Sequence, residues 1–302
     1  MENQPLFHEV GMRDGLQVEQ LKVPTETKIE WIKELISSGL DIIQLGSFVH
    51  PEKVPNMADT DELFKYFNIP ENKPKNTILS GLVLNERGLE RAINCGVDMI
   101  CMGVSASDTH SKKNTGMTTE EALKRIIAMA KSTLESGKRV QVSVQSAFGC
   151  GYEGNIPQDR VISIIQKYIE NGITNISLAD TSGHAYPDQV DEILNKINSL
   201  SNDITIAVHF HDTYGLGIVN CLVAYKNGVK IFESAFAGLG GCPFTAKASG
   251  NVCTEDLINM FQRNNIRNDI KLDKIINISK KAENYFKREL PGKVYRMGLL
   301  KY

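Results

Sequence analysis

The sequence predicts an α/β fold, a (β/α)8 barrel with a C-terminal helical extension, from three observations. The phrases "SSGLDIIQL" (37–45), "NCGVDMICM" (94–102), "NGITNISLA" (171–179) and "NGVKIFESA" (227–235) each read as a helix end, a glycine and a buried strand. Four further strand candidates lie between them, at 6–11, 77–83, 139–147 and 204–211, making eight. Amphipathic helical patterns separate the strands. Eight strand-then-helix units are the signature of a closed parallel barrel; an open doubly wound sheet shares much of the pattern and is the less favoured reading.

Each element has a local reason. A glycine after a helix takes the left-handed C-cap conformation without Cβ strain, and the β-branched run that follows suits a strand covered on both faces. Apolar positions at helical spacing place helices at 25–38, 86–95, 118–135, 158–171, 188–199, 216–227 and 254–264, with a shorter one around 59–67. From about 270, "IKLDKIINISKKAENYFKREL" forms one more amphipathic helix, expected to pack on the barrel or on a neighbouring subunit. With no Pro/Ser-rich linker in the chain, the reading is a catalytic barrel over 1–268 and a helical extension over 269–302.

The totals exclude some partners. With 34 Lys+Arg against 36 Asp+Glu, the formal net charge is −2. No global basic field points to nucleic acid or an anionic membrane. The six cysteines, at 95, 101, 150, 221, 242 and 253, form no CxxC pair, so neither a zinc ribbon nor a disulfide framework is indicated. Without a signal-like N-terminus or an apolar run of the ~20 residues a membrane helix needs, the expectation is a cytoplasmic protein, assembled as a homo-oligomer, a dimer first.

In such a barrel the active site forms at the C-terminal ends of the strands. Polar residues collect there: Arg13 and Asp14 after strand 1, Gln44 in strand 2, Asp180 at the end of strand 6, His209 and His211 in strand 7, and "GLGGCPFTAKASGN" after strand 8. Residues two apart on a strand share a face, so His209 and His211 can present nitrogens to one point while Phe210 points away. Alone, the pair reads equally as metal ligands or as packing residues. Asp14, on the strand that closes the barrel beside strand 8, adds an anionic oxygen, and two imidazoles with a carboxylate suit Mg2+, Mn2+ or a similar divalent ion.

The motifs "EVGMRDGLQVE", "GCGYEG", "SLADT", "HFHDTYG" and "GLGGCPFTAKASGN", in order over nearly the whole chain, resemble the 3-hydroxy-3-methylglutaryl-CoA lyases of the HMGL-like, or DRE-TIM, metalloenzyme superfamily. The resemblance implies that Asp14, His209, His211 and Asn251 hold the cation. It also places Arg13 beside a thioester carbonyl, Cys242 on a mobile glycine-rich loop and Asp180 in support of the site. The implied substrate is an acyl-CoA and the implied reaction is cleavage to acetyl-CoA and acetoacetate.

That chemistry needs these residue types. The hydroxyl proton must leave, with Asp14 or His209 as the base; an enolate must be stabilised, a task for Arg13; and a proton must reach the enolate carbon, for which the Cys242 thiol is the candidate. Bland readings stand beside these: Asp180 or Asn251 could simply cap the helix that follows, and Cys242 could be a small buried hydrophobe. The loop "SASDTHSKKNTG" (105–116) reads either as a solvated loop or as an acyl or CoA contact through Lys112 and Lys113.

Three positions and one segment leave the family pattern. Gln44 stands where a glutamate is usual beside the arginine, Gln141 where arginine is usual, Gly151 where proline is usual, and "ADTSGHAYP" replaces a "GDTIG" type of sequence. Glutamine keeps the shape and can accept a hydrogen bond but carries no charge. These changes keep open a related lyase or Claisen-condensing enzyme with another acyl-CoA partner, and beyond it a catalytically silent metal-binding protein.

Overall fold

The computed structural model describes residues 4–241 and 250–299. Strands β1 (Leu6–Glu9), β2 (Ile42–Ser47), β3 (Ile78–Leu82), β4 (Met99–Ser105), β5 (Arg139–Gln145), β6 (Asn175–Asp180), β7 (Thr205–Phe210) and β8 (Ile231–Ser234) run parallel and close in chain order. Pairing of β8 with β1, from Leu6 opposite Ile231 to Glu9 opposite Ser234, removes both edges and excludes the open sheet.

Helices α1 (Thr25–Ser38), α2 (Thr60–Phe67), α3 (Glu86–Asn94), α4 (Asp108–Thr115), α5 (Thr119–Glu135), α6 (Gln158–Glu170), α7 (Pro187–Asn198), α8 (Gly217–Lys226) and α9 (Thr254–Gln262) surround the barrel. The four repeated glycines, Gly39, Gly96, Gly172 and Gly228, all adopt positive φ between 72° and 93°, as the helix-end reading required. Helix α10 (Leu272–Phe286), followed by α11 (Val294–Met297), lies against α1, where Trp31 meets Tyr285 and Phe286 edge-on. The extension therefore packs on its own barrel through this face.

The solvated-loop reading of 105–116 is corrected. Residues Asp108–Thr115 form α4, and Ser107 caps it by accepting from the His110 amide while donating to Glu153. Polar composition concealed a helix whose start is fixed by a cap and whose His110 and Ser111 are buried.

Side chains alternate along each strand, which builds two cores. Outward residues such as Phe7, Ile43, Val142 and Phe232 pack under the helices. Inside, Ile42, Met99, Cys101, Ala207 and Ile231 plug the end where the strands begin. Above that plug the interior turns polar, with His8, Gln44, Ser80, Gln141, Ser177 and Glu233 all buried. Polarity thus rises along the barrel axis toward the end where the strands finish.

Candidate metal centre and active site

Beyond β1 the chain makes one π-helical turn, Gly11–Gly15, in which the amides of Arg13, Asp14 and Gly15 all donate to the Val10 carbonyl. The turn swings Asp14 over the barrel mouth. On β7, alternation sends Phe210 outward against Phe148 at 5.4 Å between ring centroids and leaves His209 and His211 facing inward. Their Nε2 atoms lie 3.2 Å apart, and each is 3.9 Å from Asp14 Oδ2.

Asn251 completes the group. Its backbone bridges His211; its Nδ2 donates to Asp14 Oδ2 and to the Leu239 carbonyl, both at 2.9 Å. The Oδ1 of Asn251 is buried with no hydrogen-bond partner among the described residues. A buried amide oxygen without a partner is costly, and a bound ion or ligand reaching it would satisfy it. Two imidazole nitrogens and a carboxylate oxygen are a donor set that suits a divalent ion.

For His211 and Asp14, electrostatics agree with that use. Burial, reinforced by the neighbouring His209, pushes His211 down to about 4, which leaves its ring neutral and able to offer a lone pair. Burial opposes the charge of Asp14, but the Arg13 guanidinium and the two imidazoles outweigh it and hold the carboxyl far below its usual range. Burial would also lower His209; its hydrogen bond to Glu233 and the charge of Asp14 prevail, and it is raised.

Glu233 is the residue that the sequence reading missed. Its Oε2 lies 3.0 Å from His209 Nδ1, and its Oε1 lies 4.0 Å from His8 Nδ1. The available signal was a charged residue inside the apolar run "KIFESA", on the face of β8 that alternation turns inward.

Arg13 lies across the mouth, donating from Nε to Gln44 Oε1 at 2.5 Å and pairing with Asp14. The lost glutamate therefore leaves the guanidinium positioned, with Asp14 as its anionic partner. A cavity of about 190 Å3 opens beside these groups, walled by Ser143 and Gln145 of β5, Ser177 and Ala179 of β6, and His110 and Asn114 of α4. Lys112 and Lys113 do not line it; they pair with Asp108 and the Tyr152 ring.

Asp180 stands apart from the donor cluster. Its carboxylate accepts from the amides of His184 and Ala185, at 2.8 and 3.1 Å, and so shapes the turn after β6, while α7 starts later, at Pro187, without a side-chain cap. Burial pushes this carboxyl up to about 6. Cys242 lies outside the described residues. Gln141 is buried in the barrel interior, where its Oε1 accepts from Cys101 Sγ at 3.7 Å. Gly151 donates its amide to Ser182 Oγ at 3.1 Å, a bond that a proline there would lack. Cys95, Cys101, Cys150, Cys221 and Cys253 are all free and buried.

The model of the HMGL-like family matches residues 4–281. The chain belongs to the HMGL-like family. Among other members, a hydroxymethylglutaryl-CoA lyase of Bacillus subtilis is 36% identical over 94% of this chain and 94% of its own. An (R)-citramalyl-CoA lyase of Chloroflexus aurantiacus is 32% identical over 96% of this chain and 93% of its own. The structure of an HMG-CoA lyase from Acinetobacter baumannii, in complex with coenzyme A and 3-methylmalate, superposes with a TM-score of 0.91 at 36% identity, covering 100% of this chain and 99% of that one. The barrel of this HMGL-like chain is accordingly that of solved HMG-CoA lyases. Among the described residues no helix is long and apolar enough to cross a membrane.

Proposed function

We propose that the chain is a divalent-metal-dependent carbon–carbon lyase that cleaves 3-hydroxy-3-methylglutaryl-CoA to acetyl-CoA and acetoacetate. The observation that carries this reading is the convergence of Asp14, His209, His211 and Asn251 beside Arg13 at the mouth of a barrel that resembles HMG-CoA lyases throughout.

Asp14, His209, His211 and Asn251 would hold the cation, Mg2+ or Mn2+. When bound, such an ion supplies Lewis acidity that lowers the pKa of a substrate hydroxyl and orients it. Of the two candidate bases, His209 has Nδ1 bonded to Glu233 and Nε2 turned to the donor cluster, so Asp14 is the residue left to accept the hydroxyl proton. Loss of that proton lets the C2–C3 bond break, forming the ketone and an acetyl-CoA enolate. Arg13, fixed by Gln44 and Asp14, meets the developing oxyanion with a preorganised guanidinium. The Cys242 thiol is the donor that protonates the enolate carbon. Asp180 supports the site from a distance by ordering the turn after β6.

Two features favour keeping a second substrate in view. Gln44 and Gln141 themselves carry no charge where the family resemblance implies charged residues, and the similarity extends to an (R)-citramalyl-CoA lyase. Metal-stripped protein incubated with a panel of 3-hydroxyacyl-CoA thioesters, with and without Mg2+ or Mn2+, and with products identified by mass spectrometry, separates the two. Metal-dependent release of acetoacetate from the methylglutaryl thioester supports the first reading; turnover of citramalyl-CoA alone replaces it. Free buried cysteines agree with a reducing, cytoplasmic setting. A homodimer is the expected assembly, to be checked by light scattering after gel filtration.

A further inference from the structure

Glu233 belongs to no part of the reaction described so far, yet it is an ionisable side chain deep in the barrel. Strand register explains its surroundings. Glu233 on β8 is laterally paired with His209 on β7 and with His8 on β1, so three inward side chains form one row across adjacent strands. Paired residues of a parallel sheet project to the same face, which brings the carboxylate between two imidazoles.

The two sides of that row differ. Toward β7, Oε2 meets His209 Nδ1 at 3.0 Å, a full hydrogen bond. Toward β1, Oε1 makes no close hydrogen bond among the described residues and lies 4.0 Å from His8 Nδ1, while His8 turns its Nε2 to Ser80 Oγ at 2.8 Å. Glu233 is thus committed to His209. An imidazole that donates from Nδ1 to a carboxylate has its Nε2 lone pair free, and here that Nε2 is the nitrogen that faces His211 and Asp14.

We propose that Glu233 is a positioning residue that fixes the tautomer and ring orientation of His209 so that Nε2 is presented to the divalent cation. This rests on the ligand set of the proposed function and adds a residue outside it. A carboxylate behind a metal-bound imidazole both locks the ring and makes it a better donor, and its loss typically weakens metal binding ~10–100-fold. Among the described residues the neighbouring histidine has no such support: His211 Nδ1 is buried without a partner there. The geometry therefore places the dependence of the centre on one carboxylate, and on His209 before His211.

The test uses Mn2+ as the probe and needs no substrate. Binding to the full chain is followed by electron paramagnetic resonance, and the His209 tautomer is read by long-range 1H–15N correlation. Glu233→Ala is expected to raise the Mn2+ dissociation constant about 10–100-fold and to lose the Nδ1–H signature of His209. Glu233→Gln, which keeps an acceptor oxygen and the shape without the charge, is expected to retain the tautomer and lose less than about tenfold in affinity. His8→Gln, on the far side of the row, is expected to leave Mn2+ binding within a few-fold of wild type. Wild-type affinity in a folded Glu233→Ala protein overturns the proposal, as does an equal loss in His8→Gln. If Glu233→Ala does not fold, an unchanged tautomer and an affinity loss beyond 100-fold in Glu233→Gln overturn it instead. Failure of the wild-type chain to bind Mn2+ would sink the ligand set itself, a different outcome from either.

Discussion

Arg13 Nε donates to Gln44 Oε1 at 2.5 Å, and the same guanidinium pairs with Asp14. Gln44 thus orients the arginine without neutralising it, and the charge balance of the mouth rests on Asp14. In Gln44→Glu a buried carboxylate competes for the guanidinium. The substitution is expected to shift the ratio of kcat/KM for 3-hydroxy-3-methylglutaryl-CoA over citramalyl-CoA at least about tenfold toward the former, ~1.4 kcal/mol. Steady-state kinetics with both thioesters checks this, and an unchanged ratio would remove Gln44 from the account of specificity.

Arg13→Gln removes the charged donor proposed to meet the thioester while leaving Asp14, His209, His211 and Asn251 in place. We expect kcat to fall about 10²–10³-fold, with Mn2+ affinity changed far less. A loss seen mainly in KM would mean that Arg13 binds substrate and transition state alike.

Gly240 has φ +113°, and a Cβ there would come within 2.5 Å of Asn251 Nδ2. Gly240→Ala should therefore displace the amide that bonds Asp14, and lower Mn2+ affinity at least about tenfold, a loss comparable with that of a metal-orienting contact. Titration of the folded variant decides, and a dissociation constant equal to wild type contradicts the close approach.

Metal should also stabilise the fold, because the donor cluster joins β1, β7 and the segment after β8. At a Mn2+ concentration 100 times the dissociation constant, linkage predicts ~2.7 kcal/mol of added stability. Thermal unfolding with Mn2+ and with chelator measures it, and identical melting temperatures would count against a native-state site.

A pH effect follows from Glu9, whose carboxyl is wholly buried and accepts from Gly11, Phe236 and Thr254. Burial raises it to about 8 from an ordinary 4.5, more than those hydrogen bonds lower it. A raised folded value means a stabilising contribution that is full below about 4.5 and is lost as pH climbs through 8. Glu9→Gln should remove that slope. Between pH 5 and 8 wild type is expected to lose at least ~1 kcal/mol, roughly 2 °C, relative to the variant; parallel melting curves would show that Glu9 does not titrate there.

Much of this was legible in the residues. Helix α1 falls on the 25–38 of its apolar spacing, and the four glycine-to-strand phrases all became helix caps and strands, because both signals are local. The cluster of Asp14, His209 and His211 was readable for a related reason: alternation puts residues two apart on one face, and strand ends on one side of the barrel. Helix α4 was not readable, since "SASDTHSKKNTG" has no apolar period and is ordered by Ser107, by Glu153 from a distant loop and by burial of His110.

The sequence by itself determined the barrel, its order of elements and the chemistry gathered at its mouth, because hydrophobic period, glycine caps and residue type act over a few positions. Only the tertiary structure decided which charges neutralise one another. It paired Arg13 with Asp14, turned Asn251 Nδ2 to Asp14 Oδ2, and set Glu233 behind His209. Those relationships join residues up to 237 positions apart in the chain. The contact of Asn251 with Asp14 depends on the closure of β8 onto β1, which brings the segment after the last strand beside the turn after the first.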